Sequence, residues 1–179
     1  MREVTAFSTS RFDLRPLRKS DAAALFPTLS DPVQCRFLTH PAFANEAELW
    51  GWLSDPEWTG RSWIAVEQDG SDVVVGRFIA VPAHENGVEE IGYIVCVDRQ
   101  RQGIARECVV GLIDRLFAEG TRKIIADVDS ENNASYALLD RLGFTREATF
   151  RQHETTHEGL RDLFVYGLLS TDPRPSKGN

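Results

Sequence analysis

The sequence predicts a single α/β domain in which hairpin-linked strands share a sheet with at least one parallel pair. Three observations lead there. An apolar stripe at helical spacing runs from Ala105 to Phe117 and is followed by a strand-like run and a second helical pattern. Ahead of it, runs rich in β-branched residues are separated by turn-forming residues. The chain of 179 residues is 42 % hydrophobic and 26 % charged, which suits one domain with a sizeable core.

The elements follow in order. Arg11-Phe12-Asp13-Leu14-Arg15-Pro16-Leu17 alternates apolar and charged residues, as a half-buried strand does. Ser20 is a natural N-cap for a helix through Ala22, Ala23, Leu25, Phe26 and Leu29. Asn45 with Glu48 is a capping-box signature, and its helix is expected to bury Leu49, Trp52 and Leu53. The runs Trp63 to Val66 and Val73 to Ile79 flank Asp69-Gly70, a favoured hairpin turn, and Ile91 to Val97 extends the same sheet. In the long helix from Ala105, residues Cys108, Val109, Leu112, Ile113, Leu116 and Phe117 share one face. Gly120 ends it, and Lys123 to Val128 reads as a strand. A last helix runs through Tyr136, Leu138, Leu139 and Leu142 to Gly143, after which Phe144 to Gln152 and Arg161 to Leu169 close the sheet. The strand, helix, strand, helix order in the middle calls for a right-handed crossover. Residues 171–179, with two prolines and no large apolar side chain, are expected to form a frayed tail.

Composition excludes several classes of function. A formal net charge of −7 argues against general binding of nucleic-acid phosphates. No apolar run approaches the roughly 20 residues that span a bilayer, and the start lacks the apolar segment of a signal peptide. A cytoplasmic protein without membrane or nucleic-acid partners is therefore expected. Cys35, Cys96 and Cys108 are odd in number and form no close pair, so they read as reduced core thiols.

One basic turn contrasts with this acidic background. Asp98-Arg99-Gln100-Arg101-Gln102-Gly103-Ile104-Ala105-Arg106 joins a strand to the long helix. Glycine at 103 lets backbone approach a ligand, and the free N–H groups of the helix's first turn point at whatever lies there. Arg99, Arg101 and Arg106 add charge to a helix end that already carries about half an elementary charge. Such a turn is either an anion site suited to a pyrophosphate or a solvated basic loop.

The segment Gln100-x-x-Gly103-x-Ala105 resembles the loop by which the GNAT N-acetyltransferase superfamily holds the pyrophosphate of acetyl-CoA. Further segments are similar to its RimJ/RimL-type branch: Thr9-Ser10-Arg11-Phe12-Asp13-Leu14-Arg15-Pro16-Leu17, Glu90-Ile91-Gly92-Tyr93, Glu107, and Asn132-x-x-Ser135 leading to Leu142-Gly143-Phe144. The resemblance implies one N-acetyltransferase domain over residues 1–170. Its mixed, mainly antiparallel sheet, of about seven strands flanked by about four helices, would splay where acetyl-CoA enters. Val95 to Val97 would meet the pantetheine arm like an added strand. Gln100, Arg101, Gln102, Gly103, Ile104, Ala105 and Arg106 would hold the pyrophosphate. Arg101 and Gln102 stand where the branch commonly has glycine and a basic residue, and Arg106 where it often has threonine. Since backbone amides do most of the binding in that family, these departures are expected to alter affinity more than function.

Acetyl transfer to an amine needs a proton acceptor, alignment, and a proton donor for the leaving thiolate. By the same resemblance, Glu90 is the candidate base, acting through water, while Glu89 points to the opposite face of a regular strand. Asn132 is placed to cap the last helix, and the resemblance adds a hydrogen bond to the cofactor or the acceptor. The resemblance also implies Ser135, one helical turn on, as the candidate acid. Many members place a tyrosine four residues before the Gly-Phe pair, a position that is Leu139 here, and serine in place of that tyrosine is what the RimL-like branch shows. Asp127, Asp129, Glu131, Glu89 and Glu90 near the strand ends would favour a cationic acceptor. Trp50, Trp52, Trp58 and Trp63 either pack in the core or wall the acceptor site. The expected activity is transfer of acetyl from acetyl-CoA to a primary amine by direct attack, in a monomer or homodimer. The acceptor would be a protein N-terminus, such as that of a ribosomal protein, or a small amine. The alternative is a CoA-binding module of the same fold without turnover.

His153-Glu154-Thr155-Thr156-His157 fits the H-E-x-x-H pattern of zinc hydrolases. That pattern requires a helix, whereas two threonines and the nearby Gly159 indicate a strand end or hairpin. On a strand the two histidines lie about 13 Å apart, too far for one ion. No metal site is expected.

Overall fold

A computed structural model describes residues 4–175. Its strands are β1 (Phe7–Ser8), β2 (Phe12–Pro16), β3 (Arg61–Glu67), β4 (Val74–Pro82), β5 (Val88–Val95), β6 (Lys123–Asp129), β7 (Thr145–Thr156) and β8 (Gly159–Leu169). The helices are α1 (Asp21–Leu29), α2 (Pro32–Cys35), α3 (Glu46–Leu53), α4 (Ile104–Ala118) and α5 (Asn133–Arg141). All eight strands form one sheet in the order β1-β2-β3-β4-β5-β6-β8-β7. Each neighbouring pair is antiparallel except β5 and β6, which α4 joins as a parallel crossover.

The sheet has one strand and one helix more than expected, and both are too short to show periodicity. β1 contributes two residues paired to Leu14 and Asp13. α2 is a single turn started by Asp31, whose carboxylate accepts the Val33 N–H. Three further expectations need correction. Ser20 precedes α1 but is itself helical and its side chain makes no capping bond. Asn45 and Glu48 do cap α3, but Trp52 is exposed while Leu49 and Leu53 are buried. β5 stops at Val95, and Val97 begins a short 3₁₀ turn, because the Val97 N–H donates to Thr28 Oγ1 on α1 and leaves the ladder.

Apolar residues cover the sheet on both sides. On one face α4 and α5 pack over Phe78, Ile91, Ile124 and Tyr166. Six α4 side chains (Ile104, Cys108, Val109, Leu112, Ile113 and Leu116) are fully buried there, each apolar one contributing about 1.5–3 kcal/mol if removed from water completely. On the other face α1 and α3 cover Ile64, Val66 and Cys96. Strand alternation thus assigns faces: Phe78, Ile91, Tyr93 and Val95 belong to the α4 side, and Ile64, Arg77, Glu90, Gly92 and Ile94 to the α1 side. All three cysteines are free and buried, with the Cys96 and Cys108 thiols pushed up to about 11 and about 12 by burial. Of the segment expected to be a tail, residues 171–175 are described, and Arg174 pairs with Asp114 of α4 and stacks over Phe117. Residues 176–179 lie outside the described residues.

Candidate active site

β5 and β6 begin side by side and then part. Their parallel register runs only from Val88↔Lys123 to Glu90↔Ile125, although β5 continues beside β4 to Val95 and β6 beside β8 to Asp129. Beyond Glu90 the edge of β5 that faces β6 has no strand partner, so its backbone groups border a V-shaped cleft.

The basic turn closes the wide end of this cleft. Gly103 is the N-cap of α4 with φ 78°, a left-handed conformation that favours glycine, and no side chain caps the helix. The first intrahelical bond there is from Glu107 N–H to Gly103 O, which leaves the N–H groups of Ile104, Ala105 and Arg106 unpaired within the helix. Arg101 is also left-handed, at φ 63°, so the turn curls its backbone into a concavity of the kind that suits an anion. Arg101 and Arg106 form no ion pair among the described residues, whereas Arg99 turns away to Glu67 at 3.0 Å. Two of the three expected arginines are therefore available to an anion. Ile104 anchors the turn in the core. Gln100 donates its side-chain amide to Gln34 Oε1 at 2.7 Å and to Val95 O at 3.3 Å, and the Gln102 side chain reaches Asp98 O at 3.5 Å. Arg11 steadies the turn from outside, donating to Gln102 O and pairing with Glu107. Glu107 also accepts from Thr9 Oγ1 and Arg11 N–H, and these bonds hold its carboxyl below the usual range against the opposing effect of burial.

On the α4 face, Asn132 caps α5 by accepting the Ser135 N–H at 3.2 Å. That cap holds Ser135 near β5, where its Oγ lies 2.8 Å from the Tyr93 hydroxyl. Burial pushes the Tyr93 phenol up, so it stays protonated. Sequence reasoning quoted Tyr93 without assigning it a role; the residue lies in the Glu-Ile-Gly-Tyr segment three places after Glu90 and hence on the opposite face.

On the α1 face, Glu90 occupies the point where the strands part. Its carboxyl is pushed up by burial first, then by the negative charges of Asp127 and Glu154. Asp127 is open to solvent in the cleft, yet partial enclosure raises its carboxyl, with His153 opposing. A register shift in β7 between Phe150 and Glu154, where Gln152 is left-handed at φ 49°, bends the β7–β8 hairpin toward this cluster. The other expected acidic residues are already neutralised. Glu89 faces away from Glu90 and pairs with Arg61, while Asp129 and Glu131 pair with Arg161. Glu131 also pairs with Arg36, just after α2. Since α2 carries Gln34 as well, this short helix bridges both arms of the cleft, a role with no signal in its four residues.

The tryptophans divide. Trp63 is fully buried, while Trp52 and Trp58 stand over the α1 face and cover Arg77. His153 stacks on Phe150, and the chain from Thr145 to Thr156 is a strand that turns at residues 157–158. No group of three or more potential metal ligands converges among the described residues. No described helix is long and apolar enough to cross a membrane.

Comparison with known proteins agrees with this geometry. Residues 11–145 match the family model of the acetyltransferase (GNAT) domain. An uncharacterised N-acetyltransferase, p20, of Bacillus licheniformis is 27% identical over 170 residues, covering 92% of this chain and 96% of its own. A phosphinothricin N-acetyltransferase of Streptomyces viridochromogenes is 27% identical over 176 residues, covering 91% and 92%. Among solved structures, RimL, a ribosomal L7/L12 alpha-N-protein acetyltransferase in complex with coenzyme A, superposes with a TM-score of 0.78 at 20% identity over 92% of this chain and 98% of its own. The chain belongs to the GNAT acetyltransferase family. It is an acyltransferase, and its acyl donor is acetyl-CoA. The residues present suit that donor: an unpaired strand edge for an amide-bearing arm, and an uncapped helix end with two free arginines for its phosphates.

Proposed function

We propose that the protein acetylates a primary amine by direct attack on acetyl-CoA, with Glu90 as the base and Ser135 as the acid. The observation that carries this reading is the placement of Glu90, a half-buried carboxylate without a cationic partner among the described residues, at the point where β5 and β6 part. Acetyl-CoA supplies an activated acyl carbonyl. Glu90 takes the proton of the acceptor ammonium, through a water, so that the nitrogen lone pair can form the new N–C bond. Ser135, hydrogen-bonded to Tyr93, delivers a proton to the sulfur as the C–S bond breaks, and the second proton shed by the acylated nitrogen restores Ser135, so that one proton goes to the thiol and the one held by Glu90 passes to solvent. Asn132 holds Ser135 in place, and Asp127 with Glu154 adds negative potential that favours a cationic amine. Gln100, Arg101, Gln102, Gly103, Ile104, Ala105 and Arg106 take the pyrophosphate, and Val95 and the following turn to Val97 take the pantetheine arm.

The acceptors in the names of the relatives range from phosphinothricin to a ribosomal protein's alpha-amine, which supports an amine acceptor of the RimL kind or a small molecule. The test is thiol release from acetyl-CoA across a panel of amines and peptides. Glu90→Gln should lower the rate by roughly 10²- to 10⁴-fold while acetyl-CoA affinity barely changes. An unchanged rate would remove Glu90 from the mechanism, and binding of acetyl-CoA without thiol release would favour a binding module.

A further inference from the structure

Arg77 is the one charged residue in the otherwise apolar run of β4 from Val74 to Ala80, and its surroundings are unusual for a buried cation. It is only 7% exposed. Its Nε donates to Ser62 Oγ at 2.9 Å, and its guanidinium lies between two aromatic faces, 4.8 Å from the Trp52 ring centre and 5.4 Å from that of Trp58. It forms no ion pair among the described residues, and its two terminal nitrogens have no hydrogen-bond partner there. Every fully buried side-chain nitrogen or oxygen among the described residues does have a partner. The terminal nitrogens of Arg77 therefore reach an opening.

A guanidinium taken out of water normally has a carboxylate beside it, as Arg15 has in Asp21. Aromatic faces and one hydroxyl replace only part of its hydration. The missing anion has a definite place relative to the reaction. Arg77 lies opposite Ile94, Ile79 opposite Gly92, and Val81 opposite Glu90, so all six share the α1 face of the sheet. Ser62 lies on β3 opposite Ile79, so the bond to it holds the guanidinium at the Ile79–Gly92 level and on the β3 side of β4. From there Glu90 is one pair of residues further, about 7 Å along the strands, and between one and two strand spacings of about 5 Å across them. Gly92 has no side chain of its own there, and the Ile79 side chain leans over it, 3.1 Å from where a Cβ would lie, so it forms the floor between the two groups.

We propose that Arg77 is the acceptor-binding residue that selects amines carrying a carboxylate or similar small oxyanion, the anion lying on its free nitrogens while the ammonium faces Glu90. This rests on the acetyl-transfer reading above and narrows its acceptor to molecules with both charges a few bonds apart. The planar fork of two N–H donors suits a bidentate oxyanion, which a lysine would hold only as a point charge. Trp52 and Trp58 exclude water from the pair and keep the fork oriented.

The test compares a pool of free α- and ω-amino acids with the matched pool of their carboxamides, following thiol release from acetyl-CoA. The wild-type protein should prefer the acids by at least about tenfold in kcat/KM, since a carboxamide leaves the desolvated guanidinium without its anion. Arg77→Met should abolish that preference by raising KM for the acids while leaving kcat/KM for the carboxamides in place, and Arg77→Lys should restore part of it. Equal turnover of both pools, or equal loss of both in Arg77→Met, overturns the proposal and leaves acetyl transfer intact. Should neither pool react, titration with acetate and methylphosphonate decides, read by the fluorescence of Trp52 and Trp58. A saturable change in wild type that is absent in Arg77→Met supports the anion site, and no saturable change overturns it. Melting temperature with and without acetyl-CoA, measured on each variant, separates loss of the donor site from loss of the acceptor site.

Discussion

The hydroxyl of Tyr93 and the Oγ of Ser135, contributed by β5 and α5, lie 2.8 Å apart on the α4 face of the cleft. Either can donate to the other, so a Ser135 acting as the acid proposed above would have a second hydroxyl from which to recover a proton. Ser135→Ala is expected to lower kcat by about 100-fold, the lower end of what a positioned acid contributes. Tyr93→Phe should cost less, and the double variant should be no slower than Ser135→Ala alone. Steady-state kinetics of the three variants check this; fully additive losses would mean that the two hydroxyls act separately.

The acid limb of the pH–rate profile should lie above the ordinary glutamate value of about 4.3, because burial and two like charges push the Glu90 carboxyl up. Removing a negative neighbour relieves that push. Glu154→Gln is therefore expected to move the acid limb of kcat/KM to lower pH, and Asp127→Asn to do the same. A limb that stays put in both variants would assign it to another group.

Glu90 also links stability to pH. Folding raises its carboxyl, so its ionisation opposes folding: the penalty is absent below the unfolded-state value of about 4.3 and complete above the raised folded value. Glu90→Gln should thus melt above wild type at neutral pH while losing activity, and the gap should close as pH falls below about 4. Thermal melts across pH 3–8 measure it.

Gly103→Glu places a negative side chain where backbone N–H groups converge, at a left-handed residue that disfavours any Cβ. Acetyl-CoA at 100 times its dissociation constant should stabilise the wild type by about 2.7 kcal/mol, and this gain should vanish in the variant. Retained stabilisation would mean that the donor binds elsewhere.

The Arg15–Asp21 pair ties β2 to the first residue of α1 through two bonds of 2.9 and 2.8 Å, with both residues buried. Asp72 engages only the Arg15 Nε, at 2.9 Å. Asp21→Ala leaves the Arg15 Nη2 without a partner and removes the buried one of its two carboxylates, and a loss of about 3 kcal/mol is expected. Urea titration should show the midpoint falling with the slope unchanged.

Much of the fold was legible because its signals are local. The stripe from Cys108 to Leu116 needs only helical geometry to define a buried face, and Gly103 and Asn132 mark their helix starts by residue type. Elements of two or four residues, β1 and α2, carry no period and are held by tertiary pairing, Phe7 with Leu14 and Gln34 with Gln100. The candidate site was legible in part for the same reason. Glu90, Gly103 and Ser135 belong to short motifs, whereas the pairing of Arg99 with Glu67 or of Arg161 with Asp129 joins residues more than thirty places apart that only the fold brings together. Arg77 did carry a signal, a single charge in an apolar central strand, but its meaning depends on the absence of a partner, which no motif encodes.

The assignment of Tyr93 and Ser135 to one face of the sheet and of Glu90 to the other has a kinetic consequence. If donor and acceptor arrive from opposite sides of the cleft, as that assignment requires, neither has to leave for the other to enter. Reciprocal plots of initial velocity should intersect rather than run parallel. Free CoA and unreacted amine should also be able to occupy the enzyme together in a dead-end complex, so that excess acceptor traps the spent donor and slows turnover.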